Sequence, residues 1–226
     1  MATTKRIVCL ANSRKLYGRC IAGLELVGDR PGSWVRPVSD RPHEEVSEYE
    51  RQYEDGSDAR VLDIIDVPLR EPRPKGYQQE NWLLDPEECW ARAGRFSWAD
   101  LERLADGSGT LWLNGHHTSS GQNDVIPLDA VAGVASSLTL VHVDSTQLSV
   151  FKPGEAFGNP RRRVQARFRF DRHDYALWVT DPIIELAYLS RSDGDYRLGE
   201  SYLTISLGEP FMNRCYKLVA AVIEPT

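Results

Sequence analysis

Ile7 to Ala11 is apolar without interruption, so the opening stretch Lys5–Ala11 (KRIVCLA) reads as a strand buried on both faces. Asn12-Ser13-Arg14-Lys15 reads as a polar turn. Arg19–Val27 (RCIAGLELV) is a second strand, closed by a turn at Gly28-Asp29-Arg30-Pro31-Gly32. Ser33–Val38 is a short third strand with Trp34 and Arg36 on one side and Val35 on the other. Asp40–Asp58 is charged and poor in apolar residues, which predicts an exposed loop or a frayed helix. Arg60–Leu69 (RVLDIIDVPL) is a fourth strand, stopped by Pro68, Pro72 and Pro74. The middle of the chain carries helix signals. Asp85-Pro86-Glu87-Glu88 combines an N-cap, a proline at the first helical position and a capping acid, and Ser97 with Asp100 opens a second short helix ending near Gly107. Asn114–Gln122 is a polar loop containing His116 and His117.

The strand pattern returns after Gly133. Ser137–Val143 and Gln147–Phe151 read as a hairpin pair. Arg163–Phe170 alternates cleanly, with Val164, Ala166, Phe168 and Phe170 on one face and Arg163, Gln165, Arg167 and Arg169 on the other. Tyr175–Thr180 is another strand. Asp181-Pro182 opens a short helix running to Leu189, and Tyr202–Leu207 and Tyr216–Ile223 close the chain as strands. Many short strands with few helices predict barrels or a sandwich. A lone helix in each half suits a pair of OB barrels, because that fold carries one helix between its third and fourth strands. The expected fold is mostly β with a few short helices, as two OB-like small barrels. Residues 1–130 form the first half, with an acidic loop and a helical insertion, and residues 131–226 form the second. Both end strands are apolar on two faces, so the halves are expected to pack as one compact unit.

Composition adds bounds. The 226 residues are 41% apolar, enough for one large domain or two of about 100 residues. No run approaches the roughly 18 apolar residues of a membrane span. Ile7–Ala11 is too short for a signal-peptide core, so no membrane association and a cytoplasmic location are expected. Cys9, Cys20, Cys89 and Cys215 contain no C-x-x-C pair, which predicts free thiols and no structural zinc. The formal net charge is −6, but its distribution matters more than its total. Residues 1–39 carry seven Lys or Arg against two acids, and residues 151–175 seven against three, while residues 40–106 carry nine against eighteen. Two basic segments therefore flank an acidic middle.

The candidate chemistry lies on the basic segments. Asn12, Ser13 and Lys15, with Arg19 beyond, offer an amide, a hydroxyl, cations and backbone N–H groups that together hold a phosphate, unless this is an ordinary polar turn. Arg163, Arg167 and Arg169 recur at every other position or nearly so, which matches a phosphate track or a solvated strand face. Trp34 beside Arg36, Trp178 near Tyr175 and Arg172, and Tyr216 beside Lys217 could be base-stacking platforms or core aromatics. Catalytic signals are weaker. Cys9, Cys20 and Cys215 read as core thiols. His116-His117 with Asp124 is a poor metal set because adjacent histidines diverge, so neither a metal nor a cofactor is expected. Asp181 reads as a helix cap. No G-x-S-x-G, Walker or H-E-x-x-H motif is present.

Several of these stretches together resemble a known family. Cys9-Leu10-Ala11-Asn12-Ser13-Arg14-Lys15, Ser33-Trp34-Val35-Arg36-Pro37-Val38, Val179-Thr180-Asp181-Pro182, Ser206-Leu207-Gly208-Glu209-Pro210-Phe211 and Cys215-Tyr216-Lys217-Leu218-Val219-Ala220 are similar to the bacterial dual-OB-containing domain family across nearly the whole chain. The resemblance implies two OB barrels and a nucleic-acid-related role in bacterial defence or DNA processing; it supplies no active site. The leading expectation is a non-enzymatic binder of DNA or RNA with a groove of Asn12, Ser13, Lys15, Arg36, Arg163, Arg167 and Arg169, and with Trp34 and Trp178 as stacking platforms. A second reading is an enzyme acting on a nucleotide or nucleic acid around a pocket of Thr180, Asp181, Glu209 and Lys217, with Lys15. A third is a protein-interaction module that docks a basic partner through the acidic segment 44–66.

Overall fold

The computed structural model describes residues 3–28, 30–107 and 109–225. Of the turn expected at Gly28–Gly32, Asp29 lies outside the described residues. Two units divide the chain: Met1–Leu104 with Ala135–Ser137, and Ala105–Val134 with Leu138–Thr226.

In the first unit, β1 (Thr3–Lys15), β2 (Gly18–Val27) and β3 (Arg30–Val38) form an antiparallel meander. β4 (Asp63–Pro72) pairs with β1, and β5 (Asn81–Leu84) joins β4 antiparallel and β3 parallel. The path β1-β2-β3-β5-β4-β1 closes on itself, with the third and fifth strands parallel, which is the topology of an OB barrel. β6 (Ala91–Arg95) hangs on β4 outside the ring. The apolar run of β1 is buried on both faces, as an uninterrupted run requires. β1 bends at a register shift between Cys9 and Ala11. A Cβ on Gly23, opposite Cys9, would lie 2.1 Å from the Val8 carbonyl oxygen, so only glycine admits this approach.

Three expectations change here. Asn12–Lys15 is not a turn but the end of β1. Asn12 Nδ2 donates to the Ala59 carbonyl at 2.7 Å and Ser13 Oγ to the Cys20 carbonyl at 3.3 Å, so both donors are engaged within the unit, while buried Asn12 Oδ1 has no partner among the described residues. The reversal falls at Leu16–Tyr17, with Leu16 in the left-handed region (φ 48°). The acidic segment is not a free loop. Apart from a 3-10 turn at Tyr49–Arg51 it is irregular, yet Val46, Tyr53 and Ala59 lie in the core. Several acids of residues 44–66 pair within the unit: Glu44 with Lys75 (3.0 Å), Asp58 with Arg51 (2.8 Å) and, on β4, Asp63 with Arg95 (3.2 Å) and Asp66 with Arg6 (2.7 Å). Burial and the Asp63 carboxylate raise the pKa of the Tyr53 hydroxyl that donates to Asp63. Finally, Asp85-Pro86 starts no helix. Asp85 Oδ1 does accept the Glu87 N–H at 3.2 Å, but fully buried Trp90 draws the chain into β6 instead. At Ser97 the cap holds, on the 3-10 helix Trp98–Arg103.

The second unit repeats the plan. β7 (Val125–Pro127) is a short flanking strand, followed by β8 (Leu138–Val143), β9 (Thr146–Phe151), β10 (Arg163–Phe170), β11 (His173–Val179), the helix α1 (Pro182–Leu189), β12 (Gly194–Arg197), β13 (Ser201–Phe211) and β14 (Arg214–Ile223). The hairpin expected between β8 and β9 does not form: β8 pairs with β13, and β9 with β10 and β12. The Asp144-Ser145 step bends one long strand rather than reversing it. With β8–β9 as a bent first strand, the order β9-β10-β11-β14-β13-β8 closes, and β11 runs parallel to β14. This is again the OB ring. α1 occupies the slot between third and fourth strands. Asp181 caps it by accepting the Ile183 and Ile184 N–H groups at 3.0 and 3.3 Å. Phe168 stacks on Tyr175 inside the barrel, with centroids 5.4 Å apart. Among the described residues no helix is long and apolar enough to cross a membrane.

Candidate nucleic-acid interface

Strand alternation builds the site on β10. Val164, Ala166 and Phe168 turn into the second barrel, which points Arg163, Gln165, Arg167 and Arg169 to its outer face. Register then supplies their neighbours. Ser149 lies opposite Gln165 and Phe151 opposite Arg163 on β9, while Trp178, Ala176 and Asp174 lie opposite Gln165, Arg167 and Arg169 on β11. The Arg163 guanidinium sits 4.0 Å over the Trp178 ring, and Phe151 lies 5.8 Å from the same ring. Gln165 Nε2 donates to the Ser120 carbonyl at 2.6 Å and Gln165 Oε1 accepts from Arg167 Nε at 3.1 Å. This chain orients the exposed Arg167 side chain.

Arg167 separates two shallow depressions. One, of about 430 Å³, is lined by Ser119–Gln122, Phe151–Pro153, Arg167 and Ala176. The other, of about 410 Å³, is lined by Ser149–Phe151, Arg167 and Asp193–Asp195. Both carboxylates of the second are already engaged: Asp193 pairs with Arg162 Nε at 2.6 Å, and Asp195 accepts from Ser149 Oγ at 2.6 Å. Residues 152–162, joining β9 to β10, flank the face. Within them a hydrogen bond from Lys152 to Glu155 (2.9 Å) raises the lysine pKa, so its ammonium stays charged.

Of the remaining predicted groove residues, all but Trp178 belong to the first unit. Arg36 is 3% exposed; Nη2 donates to Ser137 Oγ at 2.8 Å and lies 3.1 Å from Glu80 Oε1, and Nη1 donates to Asn81 Oδ1 at 3.2 Å. Ser137 Oγ in turn donates to Glu80. Arg36 is therefore an internal ion pair of the first barrel, not a surface cation. Ser13 is buried, Asn12 and Trp34 are half-buried, and Lys15 is half-buried near the β1–β2 tip. Trp178 is buried between Phe151 and Arg163, so its faces are filled. Its sequence signal, an aromatic among cations, was the packing contact itself.

The predicted pocket residues take up structural places in the fold. Thr180 Oγ1 donates to the Val219 carbonyl at 3.2 Å, Asp181 caps α1 and accepts the Val222 N–H at 3.4 Å, and Glu209 sits half-buried on β13. Fully buried Lys217 donates to the Leu113 carbonyl at 2.7 Å and to Asn114 Oδ1 at 3.2 Å. Burial lowers its pKa to about 7, opposed by the Asp124 charge. None of these four residues lines either depression, nor the third cavity, of about 460 Å³, around His116, His117 and Arg214. The Asp124 carboxylate accepts from Thr118 N and Oγ1 at 2.8 and 2.6 Å. No disulfide joins any of the four cysteines, all of them among the described residues.

Sequence reasoning placed Gln165 on the Arg167 face without giving it a role, and missed Phe151 and the 119–122 loop. No local pattern marks them, because only long-range register brings them to Arg167. No curated protein and no solved structure matches the chain significantly. The family model of the dual OB-containing domain matches residues 5–222, in accord with the two OB rings, and the chain belongs to that family.

Proposed function

We propose that the outer face of β10 and β11 in the second barrel binds nucleic acid through its phosphates. In OB folds the face of the second and third strands, with the loop joining the first two, receives oligonucleotides, and here these elements are β10, β11 and residues 152–162. The observation that carries the reading is Arg167: it is exposed, oriented by Gln165, and common to both depressions beside the strand. Arg169 extends the charge along the same face. Binding of this kind is driven by counterion release and shows weak sequence preference. Fluorescence anisotropy with short DNA and RNA at low and high salt tests it. Binding that weakens with salt and is lost in Arg167→Glu supports the reading; no binding at low salt, or binding indifferent to Arg167→Glu, refutes it.

A further inference from the structure

Each barrel displays one aromatic side chain to solvent at the same topological point. Tyr17, at the turn between the first and second strands of the first barrel, is 101% exposed. Phe157, in the connection between the first and second strands of the second barrel, is 89% exposed. Neither contributes to a core, and an exposed aromatic gains nothing from folding.

Both loops are pinned at the base, so the rings are held out rather than left to fray. In the first, Arg19 and Val46 exchange backbone hydrogen bonds at 2.8 and 2.9 Å. A Cβ on Gly18 would meet the Val46 carbonyl oxygen at 2.6 Å, so the close approach requires glycine. In the second, the Asn159 and Phe157 N–H groups both donate to the Gly154 carbonyl at 2.9 Å, and a Cβ on Gly154 would meet Asn159 Cβ at 2.9 Å. Gly158, at φ 77°, completes the turn. Preorganised display of this kind removes the ordering cost of binding.

The surroundings state the charge of what would cover these rings. Along the chain Arg14, Lys15 and Arg19 flank Tyr17 and no acid occurs between residues 1 and 24, while across the loop base the buried Glu45 side chain lies against Gly18. Lys152, Arg161 and Arg162 bracket Phe157; Lys152 pairs with Glu155, the single acid among residues 152–162, and Arg162 with Asp193. A π-face beside cations matches an unpaired base joined to its phosphate.

We infer that Tyr17 and Phe157 are stacking platforms for unpaired bases, making the ligand single-stranded nucleic acid. This rests on the nucleic-acid reading above and adds the strandedness and two contacts to it. Each tip acts as its own contact. A duplex, whose bases are already stacked, does not gain from either ring.

The test compares oligothymidylate of about 12 nucleotides with a duplex of equal length, using the whole chain, Tyr17→Ala, Phe157→Ala, the aromatic replacements Tyr17→Trp and Phe157→Trp, and Arg167→Glu. The alanine variants are expected to bind the single strand about tenfold more weakly, with an unchanged salt slope. The tryptophan variants should restore binding, and duplex affinity should not change. Alanine variants that bind the single strand like the parent overturn the inference, and if Arg167→Glu still loses binding the reading of the β10 face survives. Tip variants that weaken binding while Arg167→Glu does not leave the inference standing and refute that face. Equal losses on duplex and single strand overturn stacking. A parent chain that binds neither, yet binds anionic vesicles in a tip-dependent way, overturns both.

Discussion

Arg36 in the first barrel and Lys217 in the second are both buried cations, and the barrels satisfy them in opposite ways. Arg36 meets a carboxylate, Glu80, which is itself held by Ser137. Lys217 meets neutral oxygens, the Leu113 carbonyl and Asn114 Oδ1. Arginine keeps its charge and needs a counterion once buried, whereas lysine can lose its proton when desolvated. The same ring topology thus holds, in one barrel, a cation that must remain paired and, in the other, one whose charge depends on pH. Both are buried, and Arg167 differs from both by being exposed on the outer face of its strand.

The largest expected effect removes one partner of the first pair. Glu80→Gln leaves Arg36 buried without its countercharge and should cost about 3–5 kcal/mol, read as a lowered urea midpoint. The double variant Arg36→Met with Glu80→Leu should recover much of that loss; if it is as unstable as the single variant, burial of an unpaired charge is the wrong account. The second barrel should respond to pH instead. Between the folded value near 7 and the ordinary value of 10.5, the unfolded chain binds a proton at Lys217 that the folded chain does not. Stability therefore climbs with pH through this window, by about 2–3 kcal/mol from about pH 7 to 9. Lys217→Met should flatten that slope, and a slope that persists in the variant assigns it elsewhere.

Smaller effects follow at the α-helix of the second barrel. Asp181→Ala removes the cap of α1 and the acceptor of the Val222 N–H, for an expected cost of about 1–2 kcal/mol. Asp181→Asn, which keeps an acceptor, should cost less. Tyr17→Ala and Phe157→Ala should shift stability by less than about 0.5 kcal/mol in either barrel, since the rings bury nothing. A larger shift in thermal midpoint would mean that these tips pack in solution.

Periodicity made the strands legible. Arg163–Phe170 and the helix from Pro182 to Leu189 fall where the alternation and the Asp181-Pro182 cap place them. It failed where tertiary contacts override local signals. Asp85-Pro86 makes its turn but loses its helix to Trp90, and β8 and β9 are separated by only two residues yet pair with different strands. The candidate site was half legible. Arg167 and Arg169 were placed by alternation alone, while Arg36 and Trp178 carry the same residue-type signal and are internal. Charge and aromatic spacing cannot distinguish a ligand-facing cation from one paired across the fold. The exposed aromatics Tyr17 and Phe157 stand in loops with no pattern to announce them.

The central claim is that the second barrel's outer face binds nucleic acid through Arg167. The most direct measurement is the salt dependence of oligonucleotide affinity, by anisotropy between about 50 and 200 mM salt, for the parent and Arg167→Glu. The account predicts binding by the parent that falls with salt, and a variant at least about tenfold weaker with a slope shallower by about one. Equal affinity and equal slope in the two proteins would contradict it.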